Sequence, residues 1–258
     1  MKGETSGITT LLQGMGADVA GVADMSRYDR EILGFGDEPL HAYPYAISFG
    51  LLLPCGVLET LTDGPTLFYL HHYRQVNYRL DMIAYELAKE IERRGGRALP
   101  FAASQMVDWQ NQKGHISHKH VGVAAGIGWI GRNNLLVHQE FGARVRYNTV
   151  LTDIDLTADE PHGFGCGECH ACIGACPAAA IVQEPAGFDH KGCFAMLQQF
   201  KNKRNLGHHI CGLCVKVCGG GSGGAHQVGR GSAKASACEA LSREAPSGSA
   251  GGGGAEPQ

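Results

Sequence analysis

Between residues 166 and 218 the chain carries eight of its ten cysteines, and the first four stand in "CGECHACIGACP". Cys166, Cys169, Cys172 and Cys176 follow C-x2-C-x2-C-x3-C with Pro177 next, which is the bacterial ferredoxin run. Three closely spaced thiolates can face one iron–sulfur cubane, while the longer x3 step and the proline send the fourth elsewhere. "HKGCFAM" and "CGLCVKVC" add Cys193, Cys211, Cys214 and Cys218. Crosswise ligation then predicts one [4Fe-4S] cluster on Cys166, Cys169, Cys172 and Cys218, and a second on Cys176, Cys193, Cys211 and Cys214. Zinc is the competing metal for such spacings. Cys218 departs from the ferredoxin pattern, because Gly219 follows it where a proline is usual. Cys55 and Cys238 stand apart, and Cys238 reads as a free thiol.

Disulfides would need an oxidising compartment. The opening "MKGETSGITT" has no apolar core of a signal peptide, and "YAISFGLLLPCGVL" is too short and interrupted to span a bilayer. The expectation is a soluble cytoplasmic protein with no membrane partner. A formal net charge of −3 across 258 residues excludes a global basic field, and "KNKRN" at 201–205 reads as a solvated loop.

Three regions emerge. Residues 1–157 alternate helical and strand patterns, as an α/β or α+β domain does. "ITTLLQGMGA" suits an amphipathic helix, "DVAGVADM" a strand, and "AYPYAISFGLLLP" a buried strand ending at Pro54. From Val76, apolar residues at Leu80, Ile83, Ala84, Leu87 and Ile91 mark one face of a long helix that closes at "ERRGG". "ARVRYNTVLTD" alternates as a strand, with Arg144 and Arg146 on one face reading as solvated. Residues 158–220 form the cysteine module. Residues 221–258, rich in glycine and nearly free of large apolar side chains, are expected to be disordered.

"GIGWIGRNN" at 126–134 fits G-x-G-x-x-G, a nucleotide fingerprint when it joins a strand to a helix. "VGVAA" could supply that strand, and Asp153 stands where a ribose-binding acid would. Yet "RNNLLVHQEFG" leaves room for only a short crossover helix.

"HVGVAAGIGWIGRNNLLV", "VRYNTVLTDIDL" and the two cysteine sets together resemble epoxyqueuosine reductases, corrinoid-dependent iron–sulfur proteins related more distantly to reductive dehalogenases. The resemblance covers residues 5 to 220 and includes "YLHHYRQVNYRLD". It implies a nitroreductase-like domain that holds cobalamin against a ferredoxin-like domain carrying two [4Fe-4S] clusters. Gly126, Gly128, Trp129, Gly131 and Arg132 are then expected to face the corrin. The family's proton-donating aspartate aligns without gaps to Gln112, and the nearest acid is Asp108. Asp108 and His118 are the expected proton donors, with His115, Lys119, His120, Tyr69 and Tyr73 as further polar groups. The implied activity is reduction of an electrophilic small molecule or modified nucleoside, fed by an external low-potential electron donor. Transfer RNA is the less favoured substrate for so short and slightly acidic a chain. The rival readings are a non-catalytic electron-transfer protein and a flavin- or nicotinamide-dependent oxidoreductase with a ferredoxin module.

Overall fold

The computed structural model describes residues 4–29 and 42–220. The expected tail and Cys238 lie outside these residues. The fold is mixed α/β, centred on a four-stranded antiparallel sheet of order β1-β2-β6-β3. β1 is Val19–Asp24, β2 Tyr45–Leu52, β3 Ala98–Pro100 and β6 Val145–Thr152. The central pair runs in register from Tyr45↔Thr152 to Leu52↔Val145.

Alternation along these strands feeds two separate cores. Ile47, Phe49 and Val150 face α1 (Glu4–Gly14) and α3 (Leu67–Arg93), packing on Ile8, Leu12, Leu80, Ile83, Leu87 and Ile91. Ala46 and Leu151 turn the other way, toward α4 (His118–Ala124) and the hairpin of β4 (Gly128–Ile130) and β5 (Leu136–His138). Gly122 lets α4 settle there, since a Cβ on it would lie 2.2 Å from Leu136.

α3 begins nine residues before the periodic face that starts at Val76. Thr66 caps it, accepting from the Tyr69 amide at 3.0 Å. The early turns bury Tyr69 and Leu70 against Phe200, Leu206, Ile210 and Leu213 of the cysteine module, not against the sheet. The apolar period shifts there because the packing partner changes. α2 (Cys55–Glu59) adds Val57 and Leu58 to the same seam.

In the module, α5 (Ala171–Ala175), α6 (His190–Lys203) and α7 (Leu213–Lys216) are short helices between cysteine loops. Asp189 caps α6 by accepting from the Gly192 amide. No helix among the described residues is long and apolar enough to cross a membrane.

Leu87 is fully buried between α3 and the sheet. Leu87→Ala is expected to cost about 2–5 kcal/mol in denaturant unfolding. Tyr85→Ala, two residues away on the 56 % exposed face, should stay within about 0.5 kcal/mol.

Candidate functional site: a thiol-lined seam and an open cavity

The eight module thiols form two neighbourhoods that meet at Cys172 and Cys214. Burial pushes the Cys172 thiol up to about 11, and Cys218, Cys166 and Cys169 act on it in the same direction. Cys218 is likewise raised by burial and then by Cys166 and Cys169. These four sulfurs border one small cavity together with Trp129, Arg132 and Val137. In the other group burial pushes Cys193 up to about 11, with Cys176 and Cys211 as electrostatic neighbours. Cys214 is raised by burial and by Cys211 and Cys193, with Cys172 and Cys176 adding smaller effects. Clustered, buried sulfurs resist becoming thiolates even though Arg204 acts the other way on Cys211, whereas a bound metal deprotonates them outright. Among the described residues no three His, Cys, Asp or Glu side chains converge tightly enough to hold a single ion between them. The fit to a cluster therefore rests on the grouping of the thiols.

The glycine segment sits at this seam. α4 precedes it and a hairpin follows, so it lacks the strand-to-helix context of a pyrophosphate turn. Gly126 adopts φ 66°, and a Cβ on it would press on the Glu160 carbonyl. At Gly128 a Cβ would stand 2.0 Å from the Val137 carbonyl oxygen across the hairpin. Close strand packing, rather than an approaching ligand, demands glycine there. Gly131 packs on Val137 and Asn133.

Trp129 is 6 % exposed, and its indole Nε1–H donates to Cys166 Sγ at 3.3 Å. Arg132 is also buried, and its guanidinium donates to three module carbonyls: Gln183 at 2.7 Å, Gly167 at 2.9 Å and Cys169 at 3.0 Å. Both were expected to face a corrin, but both are spent on the cysteine loop, which they tie to the sheet layer.

The open cavity lies elsewhere and measures about 460 Å³. One wall is the 101–106 segment with Trp109, Gln112, the 114–116 segment and His118, and α3 contributes Tyr73. Lys201 and residues 207–209 of the module form the other wall. His209 stands two residues before Cys211 in the chain. His209 also stacks on Phe194 at 5.1 Å and meets Trp109 at 5.5 Å, joining the two walls.

The expected proton donors need correction. Asp108 does not line this cavity. Its carboxylate caps an exposed turn, accepting from the Gln110 and Asn111 amides and from Asn111 Nδ2 at 2.7 Å. Those bonds, led by the Asn111 side chain, hold it below the ordinary aspartate range, so it is ionised at neutral pH. Gln112, the residue aligned with the family's acid, does line the cavity.

His118 lines it too, but both ring nitrogens are engaged, Nδ1 with Thr149 Oγ1 at 2.9 Å and Nε2 with the Ala102 carbonyl at 3.0 Å. Only an N–H can bond a carbonyl, so Nε2 carries the proton and Nδ1 accepts from the hydroxyl. Burial pushes its pKa down to about 4, which leaves a neutral strut and no proton source at pH 7.

Tyr73 was named as a polar group without being preferred, and the structure moves it forward. Burial acts to raise its phenol, but Arg146 and hydrogen bonds with Ser104 and Asn77 outweigh that, and the net shift is downward. The Arg146 guanidinium lies 4.5 Å over the Tyr73 ring and donates to Asn77 Oδ1 at 3.1 Å. Neither Arg146 nor Arg144 is the solvated residue the strand pattern suggested, since Arg144 is buried and Arg146 half-buried against Tyr73 and Asn77. Lys201 and the His208–His209 pair were not picked out as site residues. The adjacent histidines just before "CGLC" were the available signal.

No family model matches the chain. The epoxyqueuosine reductase of Gloeobacter violaceus is 45 % identical over 82 residues, covering 32 % of this chain and 25 % of that protein. The one from Cellulophaga algicola is 31 % identical over 160 residues, covering 58 % and 48 %. The chain is a relative of the epoxyqueuosine reductases. Its matches span a quarter to about a half of these curated relatives. Among solved structures, a catabolic reductive dehalogenase superposes with TM-score 0.61 at 20 % identity, over 82 % of this chain and 31 % of its own. An epoxyqueuosine reductase with an epoxyqueuosine-modified tRNA stem loop gives TM-score 0.52 at 22 % identity, over 83 % and 64 %. At such identities the likeness establishes the fold.

His118 makes stability pH-dependent. Its folded pKa lies below the unfolded value, so its contribution is complete above about pH 6.5 and is lost as pH falls toward 4. His118→Gln should narrow that loss by on the order of 3 kcal/mol. Urea unfolding of both chains at pH 7 and pH 4.5 measures it.

Proposed function

We propose that the chain is an iron–sulfur reductase of the epoxyqueuosine reductase kind, with a nitroreductase-like layer over residues 1–157 and a ferredoxin-like module over 158–220. The observation that carries this reading is the division of eight thiols into two groups of four beside a cavity walled by both parts. Cys166, Cys169, Cys172 and Cys218 would hold one [4Fe-4S] cluster, and Cys176, Cys193, Cys211 and Cys214 the other. Such clusters carry single electrons at low potential. Cys169 is the exposed thiol of the eight, which makes its group the one that meets an external electron donor.

The cavity is the reaction pocket in this reading. A corrinoid suits its lining chemistry, and one structural neighbour is a reductive dehalogenase associated with B12-dependent dehalogenation. Phe101, Met106, Trp109 and Ile116 offer apolar surface for a flat ring, and Ser104, Gln105 and Gln112 offer partners for peripheral amides. When bound, the group would supply a cobalt centre that reduces an electrophilic carbon.

The chain's own part is positional and protonic. Tyr73 presents a phenol whose proton is made easier to release by Arg146. Ser104 and Asn77 orient that hydroxyl. Tyr73 thus takes the role expected of Asp108 or His118. The natural first substrate to try is an epoxide-bearing modified nucleoside, given the stem loop bound by a structural neighbour. A cytoplasmic setting would keep the thiols reduced.

Anaerobic reconstitution tests the reading. The wild type should take up about eight irons. Cys169→Ser and Cys193→Ser should each lower that by up to about half, affecting different clusters. Added hydroxocobalamin should co-elute on gel filtration, and Ser104→Trp should weaken that by narrowing the cavity. Eight irons with no corrinoid retained would leave electron transfer to a partner's redox centre as the function. Extractable yellow flavin would favour the flavin reading. With a turned-over substrate in hand, Tyr73→Phe should lower kcat by about 10²–10⁴ with little change in KM.

A further inference from the structure

We infer that Trp129 tunes the first iron–sulfur cluster, raising its reduction potential above that of the second through an indole N–H···S bond to Cys166. The inference rests on the cluster reading above and adds a residue-level asymmetry to it.

Among the described residues, Trp129 Nε1 is the one side-chain N–H aimed at any of the eight module sulfurs, at 3.3 Å from Cys166 Sγ. The indole is locked in place. A Cβ on Gly165 would stand 2.8 Å from the ring, so the backbone just before Cys166 lies flat against it. Val137 and Ala143 pack around it, and Cys218 and Val215 close the cluster. The ring is buried, so no water competes for the N–H.

Backbone N–H groups of Gly220 and Ala143 also reach Cys218 in the same group. In the second group the comparable contact is the Leu213 amide to Cys211. The donors are therefore concentrated on one set of sulfurs.

Adding an electron to a thiolate-bound cluster places more negative charge on its sulfurs. A fixed N–H dipole aimed at a sulfur stabilises the reduced form more than the oxidised one, and burial strengthens that difference. The potential of that cluster rises. The group affected includes the exposed Cys169, so the tuned cluster is the one placed to receive electrons from outside. The second cluster stays the stronger reductant. The step is one electron from a low-potential donor to a cluster, with no bond made or broken.

The chain has two tryptophans, Trp109 and Trp129, which makes the test selective. Full-length wild type, Trp129→Phe and Trp109→Phe are prepared with ¹⁵N-indole tryptophan, reconstituted anaerobically, assayed for iron and titrated with dithionite under EPR detection. In eight-iron Trp129→Phe, one couple should fall by roughly tenfold in its reduction equilibrium, which is about 59 mV for one electron. The other couple should not move. Pulsed EPR of the reduced wild type should show ¹⁵N coupling that survives in Trp109→Phe and vanishes in Trp129→Phe.

An eight-iron Trp129→Phe with both couples unmoved overturns the inference, as does an eight-iron wild type without ¹⁵N coupling. If Trp129→Phe fails to load, coupling present in both wild type and Trp109→Phe supports the assignment, and its absence overturns it. A wild type that takes up no iron sinks the cluster reading itself, and this inference only as a consequence.

Discussion

The buried apolar side chains of the module pack on the sheet layer rather than on one another, and this constraint shapes everything around it. Its helices are four to fourteen residues long and bury few large side chains among themselves. Phe200, Leu206, Ile210 and Leu213 find their core on α2 and the first turns of α3, across the seam. Metal binding would add folding free energy in the module, but the apolar seam decides where the thiols stand relative to the sheet. A second tie repeats the logic in polar form. Arg132 is buried because three loop carbonyls need a donor, and a guanidinium supplies several in one plane.

That arrangement separates two jobs that a motif reading would merge. The glycine segment holds the hairpin and the cysteine loop together, and the cavity opens between the 101–116 segment and residues 207–209. His118 belongs to both neighbourhoods. It is a helix residue whose ring reaches across to Thr149 and the Ala102 carbonyl, so it supports the cavity wall while remaining neutral. Tyr73 and Arg146 come from α3 and β6, far apart in the chain, and meet only because α3 packs on the sheet.

Much of the secondary structure was legible because burial imposes a period on each strand and helix. The strands around Ile47 and Val150 and the helical face from Leu80 to Ile91 appear where the alternation places them. The first nine residues of α3 were not legible, since their buried side chains face the module. The stretch after Gly131 was harder still: Leu136 and Val137 are apolar in either a short helix or a short strand, and only pairing with Gly128–Ile130 selects the strand.

By itself the sequence determined the number, spacing and residue type of the eight thiols, because ligand spacing within a short loop is a local property of the chain. It also determined the relationship to epoxyqueuosine reductases, carried by continuous segments. Tertiary structure alone decided that Trp129 and Arg132 turn to the cysteine loop, that Gln112 and Tyr73 rather than Asp108 face the cavity, and that His118 is neutral. Each of those depends on groups more than thirty positions apart being brought within hydrogen-bonding or stacking distance, or on which wall a turn faces. Local periodicity carries no information about such encounters, since burial and partner identity are set only when the layers close.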